Sequence, residues 1–441
     1  MFVSLRLIRG ALLALLIAML ATPASAQALN QESLNYSGTF AFEDSQHTWD
    51  QAGQFGAETV NDHVREGYRP GGIRLPGGHL FFPAIAVGTR YDDNLFLDQN
   101  ANKVADARYS IAPNFVFQSN MPQHMFNLTA DAEAVKYQNH SNFDHNNGGT
   151  TGDLRIDIDA ADSLRVRLSS RLGHDTNFLP VGPEIGAEAM PIWSNYATVG
   201  YTHDAGRTAF VTAVDWQRFN YYDTRTYNGG LLDNSADDNT IMGGLGYVSY
   251  RWSPGYRGYV GGRYDRQVPL TDRATFGSNS KYSGEIGLEY EWDRILKFNF
   301  AGGYQSLVFD NSDTRNVGTF TFSGGVQWQP TQRITVNAVG SREIQRTKQD
   351  PNGIITDRVR TRLQYDIFHN IVGTLDVTLE RDAYNGSDRL DTKFDGTTSL
   401  DYWLNENLAL TLSYEHTDRV SNESQFDYTD NRVMATLTIS Q

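Results

Sequence analysis

The chain has 441 residues with 37 basic and 52 acidic side chains, a net charge of −15, and it carries 40 glycines, 23 tyrosines, 23 phenylalanines and no cysteine. Its mean hydropathy is −0.48, and after residue 21 it contains no run of the roughly 18–20 apolar residues that a transmembrane helix needs. A helical membrane protein, a disulfide scaffold and a Cys-ligated metal site are therefore excluded, and the acidic balance speaks against nucleic acid as a partner.

Residues 1–26 read as a signal peptide. Arg6 and Arg9 make a positive start, Ala11 to Ala21 an apolar stretch, and Ala24-Ser25-Ala26 a small-residue cleavage site. Cleavage after Ala26 would leave 35 basic against 52 acidic side chains, a net charge of −17. Residues 27–78 are polar and weakly periodic, as expected for a periplasmic extension that is either flexible or a plug.

From about Leu80 onward the chain alternates with period two. Leu154, Ile156 and Ile158 interleave with Asp153, Arg155, Asp157 and Asp159, and Leu164, Val166 and Leu168 interleave with Arg165, Arg167 and Ser169. Leu375, Val377 and Leu379 do the same with Asp376, Thr378 and Glu380. Such segments are strands with one apolar and one polar face. Short turns fall near 120–122, 161–163, 205–206, 253–255, 293–294, 330–332, 369–370 and 405–407. Long polar stretches fall between them, at 93–105, 139–148, 176–190, 223–238, 269–278, 310–315, 346–356, 385–391 and 421–428. This spacing predicts about eighteen strands (16–18) of roughly 12–15 residues, longer than soluble strands and long enough to cross a bilayer at a tilt.

The expected fold is all-β: a transmembrane antiparallel up-and-down β-barrel over residues 79–441, with short periplasmic turns and long extracellular loops. A propeller would need four short strands per repeat and a recurring motif. A soluble barrel of this strand number would have a lumen too wide to fill. Trp252, Tyr256, Tyr290, Trp292, Trp328 and Tyr402 sit beside short turns, as an aromatic girdle at the membrane interface would.

The stretch from Gly71-Gly72 through Leu80-Phe81-Phe82-Pro83, followed by Tyr91-Asp92-Asp93-Asn94-Leu95-Phe96, resembles the opening of the putative β-barrel porin 2 family. Members carry a Gly-rich lead, a Phe-x-x-Pro-like strand start and a Tyr-Asp-Asp-Asn-aliphatic-Phe end to the first strand. Pro83, Tyr91, Asp92, Asp93, Asn94 and Phe96 carry the likeness here. It implies an outer-membrane barrel of Gram-negative bacteria, associated with extracellular polysaccharide production or export, and it brings no catalytic set. The partners it implies are outer-membrane lipid, the barrel assembly machinery and a polysaccharide export system. The chain ends in Gln441, where outer-membrane barrels commonly present a terminal aromatic to that machinery.

With apolar positions facing lipid, charge ladders line the lumen: Arg165, Arg167 and Arg171 beside Asp153, Asp157 and Asp159, and Arg358, Arg360 and Arg362 beside Asp376, Glu380 and Asp382. They either brace the wall or set a field that acts on solutes. The Asp- and Asn-rich loops read as turn chemistry rather than Ca²⁺ sites. Tyr221, Tyr222 and Tyr227 read as girdle and loop packing, with sugar stacking the alternative. No metal, cofactor or nucleophile motif is present, so no enzyme and no cofactor are expected; Asp144-His145 is the one candidate external acid–base pair. The expected function is a porin-like channel, with a non-conducting structural or surface-interaction barrel as the alternative.

Overall fold

The computed structural model describes residues 71–175, 188–226, 229–272, 277–292, 295–311, 314–346 and 353–441. The signal segment, residues 27–70 of the extension, the turn at Asp293-Arg294 and Tyr227 lie outside the described residues.

Eighteen long strands follow one another along the chain. They are β1 Leu80–Asp92, β2 Asp106–Gln118, β3 His124–Tyr137, β4 His145–Asp157, β5 Asp162–Asp175 and β6 Met190–Asp204. Then come β7 Thr208–Tyr221, β8 Asn239–Ser253, β9 Tyr256–Pro269, β10 Asn279–Trp292, β11 Leu296–Phe309 and β12 Val317–Thr331. The last six are β13 Ile334–Gln345, β14 Ile354–Phe368, β15 Ile371–Tyr384, β16 Leu390–Asn405, β17 Leu408–Ser421 and β18 Tyr428–Ser440. Each pairs antiparallel with its sequence neighbours, and β1 pairs with β18 from Ala84↔Ser440 to Asp92↔Arg432. The sheet is a closed barrel.

The strands run from 12 to 16 residues, and their registers place the predicted apolar positions on one face. Val87, Val214, Ile286, Phe320, Leu379 and Val433 point outward and are exposed, while Asp153, Asp215, Asp265, Gln305 and Asp430 point inward and are buried. Among the described residues there is thus no central dry core. Two small apolar clusters lie at the long-loop end: Leu95, Val135, Tyr137, Phe143 and Ala189 in one, Leu307, Phe309, Val317 and Ile344 in the other.

Several boundaries differ from the sequence expectation, and three of the differences bear on named residues. Strand β4 starts at His145 and β14 at Ile354, inside stretches read as loop. Asn146, Asn147, Gly148 and Gly149 carry no apolar side chain to mark the outer face, so the alternation is invisible there although the ladder continues. Asp159 leaves the ladder altogether. It lies in the turn after β4, where its Oδ1 accepts the backbone N–H groups of Ala161 and Asp162 at 2.8 and 2.9 Å.

The β8–β9 turn depends on Gly255, whose φ of 78° suits glycine. Its carbonyl accepts the Glu291 N–H at 2.9 Å, and a Cβ at this position would run into the Glu291 backbone carbonyl. Gly255→Val should lower barrel stability by about 2 kcal/mol, combining left-handed strain with a backbone clash. Urea midpoints of the refolded barrel check this; an unchanged midpoint contradicts it.

Candidate functional site in the barrel lumen

Charged residues of the inner wall include two matching ladders. On β5, Arg167 lies directly opposite Asp153 of β4, with Arg165 on the diagonal. Arg165 donates to Asp153 through Nε and Nη2 at 2.9 and 2.6 Å, and Arg167 through Nη2 at 2.7 Å. On β14, Arg362 lies opposite Asp376 of β15, with Arg360 on the diagonal. Arg360 donates to Asp376 at 2.9 and 2.8 Å and Arg362 at 2.8 Å. In each case two guanidiniums share one carboxylate, leaving one positive charge. Strands β5 and β14 are nine apart in a ring of eighteen, so the ladders face each other across the lumen.

Of the other residues in the expected ladders, Arg358 pairs within its ladder while Asp157, Asp382 and Arg171 have partners outside the expected set. Arg358 meets Glu380 directly opposite, Nε to Oε2 at 2.6 Å. Asp157 is held by Arg155 of its own strand at 2.8 Å. Asp382 accepts the Thr356 hydroxyl at 2.6 Å rather than an arginine. Arg171 skips β4 and reaches Asp131 of β3 at 2.7 Å. The residue between them is Gly149, opposite both, and a side chain there would crowd Arg171.

The same device recurs at a cluster that the alternation pattern did not single out. Arg263 of β9 crosses β8 to grip Asp215 of β7 at 2.8 and 3.0 Å, and it also pairs with Asp265 of its own strand. The crossing point is Gly243, opposite both aspartates. The Arg263 and Asp215 side chains are 5% and 0% exposed. Beside them, Lys281 of β10 donates to the Ile344 carbonyl at 2.8 Å. The Arg-Gly-Asp arrangement spans three strands and leaves no sequence signature.

The Tyr91–Phe96 stretch is a clasp on the barrel seam. Tyr91 faces outward, and Asp92 turns inward to take Arg90 at 2.7 Å and Arg432 of β18 at 3.2 Å. Asp93 accepts the Asn431 backbone N–H at 2.7 Å and its side-chain amide at 2.8 Å. Burial raises the Asp93 carboxyl, but the hydrogen bonds from Asn431 and Lys103 outweigh this and hold it below the usual carboxylate range. Asn94, fully buried, donates to the Thr429 carbonyl at 2.9 Å. Phe96 packs against Phe143. At the short-turn end of the seam the Pro83 carbonyl accepts the Gln441 N–H at 3.1 Å, and the two-residue strand Ile73–Arg74 pairs with Leu80 and Phe81. Ile439 faces outward, opposite Ile85 and Leu408.

Trp252, Tyr256, Trp292, Trp328 and Tyr402 are exposed on the outer face at the short-turn end, and the Tyr290 ring packs at a tilt between Tyr256 and Phe298 there. The Asp144-His145 pair does not form. Asp144 takes Lys136 and the Tyr137 N–H, while the His145 ring meets the Phe143 carbonyl and stacks on His174. Among the described residues, no group of three or more acidic, His or Cys side chains is placed to hold a metal ion.

The family model described as Putative beta-barrel porin 2 matches residues 66–441. The chain belongs to this family. It is a porin-like barrel of the Gram-negative outer membrane, so its short turns are periplasmic and its long loops external. Solved structures similar to this porin-like barrel include Acinetobacter baumannii OccAB4, at 12% identity and a TM-score of 0.44, with 83% of this chain and 100% of that one covered. The outer membrane protein OpdK of Pseudomonas aeruginosa is 13% identical with a TM-score of 0.43, covering 82% and 99%. The ferric-catecholate import receptor Fiu of E. coli K12 is 8% identical with a TM-score of 0.46, covering 81% of each chain. At this level no function passes from them to this chain. No curated protein matches it.

Proposed function

We propose that this barrel is a passive channel whose wall selects for anionic, hydrated solutes, and that it serves export of an extracellular polysaccharide. The opposed arginine ladders carry the reading. Asp153 and Asp376 are the more buried members, while the Arg360 and Arg362 side chains are 39% and 48% exposed. Cationic groups therefore present themselves to the lumen from two opposite sides, and charged walls of this kind draw counter-ions. Polysaccharide export rests on the family's association alone. A signal peptide ending at Ala26 and insertion by the barrel assembly machinery complete the proposal.

The two apolar clusters at the external mouth favour a second reading, a barrel closed from outside that serves a structural or surface-interaction role. Single-channel recording of the refolded barrel in planar bilayers separates them. Stable, ohmic steps are expected of the channel; a correctly folded but silent barrel overturns it. Deletion of the gene, followed by measurement of extracellular polysaccharide, tests the export role.

A further inference from the structure

The lipid-facing surface ends differently at its two edges. Both edges carry exposed aromatic rings, among them Trp252, Trp292 and Trp328 at the periplasmic edge and Tyr109, Trp193 and Tyr282 at the external one, and the external edge carries arginines as well. Arg218 on β7, Arg266 on β9, Arg342 on β13 and Arg381 on β15 are each the fourth residue from the external end of their strands. Each points outward by register: Trp216 lies one step deeper than Arg218 on the same face, Tyr264 one step below Arg266 and Leu379 one step below Arg381, while Arg342 lies opposite the exposed Phe322. Guanidiniums at the rim of an apolar band lie at the level of lipid headgroups.

Two arcs of this rim are built rather than scattered. On one, Arg342, Asp357 and Arg381 sit directly opposite one another on three adjacent strands. Asp357 fixes Arg342 through Nη1 at 3.0 and 3.1 Å, and the triplet keeps one net positive charge. On the other, Arg218 lies opposite Asn195, within a polar group that is unusual on a lipid face. Ser170 donates to Asn195 at 2.9 Å, and the Trp193 indole N–H is shared between them at 3.1 and 3.2 Å. Arg218 touches the Asn220 amide at 3.0 Å, and among the described residues no carboxylate pairs with it or with Arg381. Arg266 is already engaged, by Asp310 at 2.8 Å. Exposed guanidiniums with free donors match phosphate oxygens bidentately, and neighbouring hydroxyl, amide and indole groups match sugar.

We propose that each of these two arcs, which lie on nearly opposite sides of the barrel, binds its own molecule of a phosphorylated glycolipid of the outer leaflet, with Arg218 contacting the phosphates at one arc and Arg381 those at the other. Both sites are on the outside of the barrel and independent of what the lumen conducts. The test is native mass spectrometry of the full chain in detergent, titrated in turn with diphosphorylated lipid A, the same lipid stripped of phosphate, and inorganic phosphate. The diphosphorylated lipid should bind roughly tenfold more tightly than the stripped one, with R218Q and R381Q together removing most of that preference and R218K with R381K keeping much of it. Inorganic phosphate should not bind at matching concentration. Equal binding of the two lipids overturns the proposal, as does an unchanged preference in the glutamine variant or equal binding of free phosphate. Should the glutamine variant fail to fold, the wild-type comparison of the two lipids decides alone.

Discussion

Arg263→Met is expected to be the most destabilising single substitution in the lumen wall, at about 3–5 kcal/mol, the cost of breaking a buried pair by removing one partner. Methionine fills much of the same volume, so the loss is electrostatic. Asp215 and Asp265, both buried, would face each other across Gly243 with the guanidinium gone. Asp215→Asn alone should cost less, because Arg263 keeps its contact with Asp265. Neutralising all three together should recover most of the loss, since a buried pair replaced as a whole is often near neutral. Urea unfolding followed by tryptophan fluorescence measures the series. A midpoint for Arg263→Met indistinguishable from wild type would show that water in the lumen already screens the pair.

How much of this was legible beforehand depended on the range of the contact. Strand number, turn alternation and the inward ladders follow from period-two patterning, because a membrane barrel must keep one face apolar along every crossing. Asp153 with Arg167 and Asp376 with Arg362 were readable for the same reason: neighbours in a hairpin lie opposite each other once the turn is located. Contacts that skip a strand were not readable. Arg171–Asp131 and Arg263–Asp215 each need a glycine at the crossing, and Gly149 and Gly243 look like any other strand glycine in a chain with 40 of them. The Tyr91–Phe96 motif was legible as a resemblance, but its partners Thr429 and Asn431 lie more than 300 residues away, and only closure of β1 on β18 explains it. The arginine rim is not legible in the sequence, because it appears only when strand ends are aligned.

Replacing Arg165, Arg167, Arg360 and Arg362 together with serine should reverse the ion preference of the channel. Each ladder now carries two arginines against one aspartate; after substitution each retains a lone carboxylate, so the paired arcs pass from two net positive charges to two negative ones. The wall then attracts cations where it attracted anions. The cation-to-anion permeability ratio should rise by about tenfold or more, the scale on which a cleft lined by one sign of charge concentrates its counter-ion. The effect should shrink as salt is raised, because the screening length falls to about 3 Å at 1 M. Opposed placement adds a sharper expectation. If both arcs act on the same solute, substituting one ladder should move the reversal potential by less than half the change seen with both, since the remaining arc still draws anions across the same cross-section. If the ladders only brace the wall, reversal potentials will not move while the unfolding midpoint falls, and bracing then becomes their role.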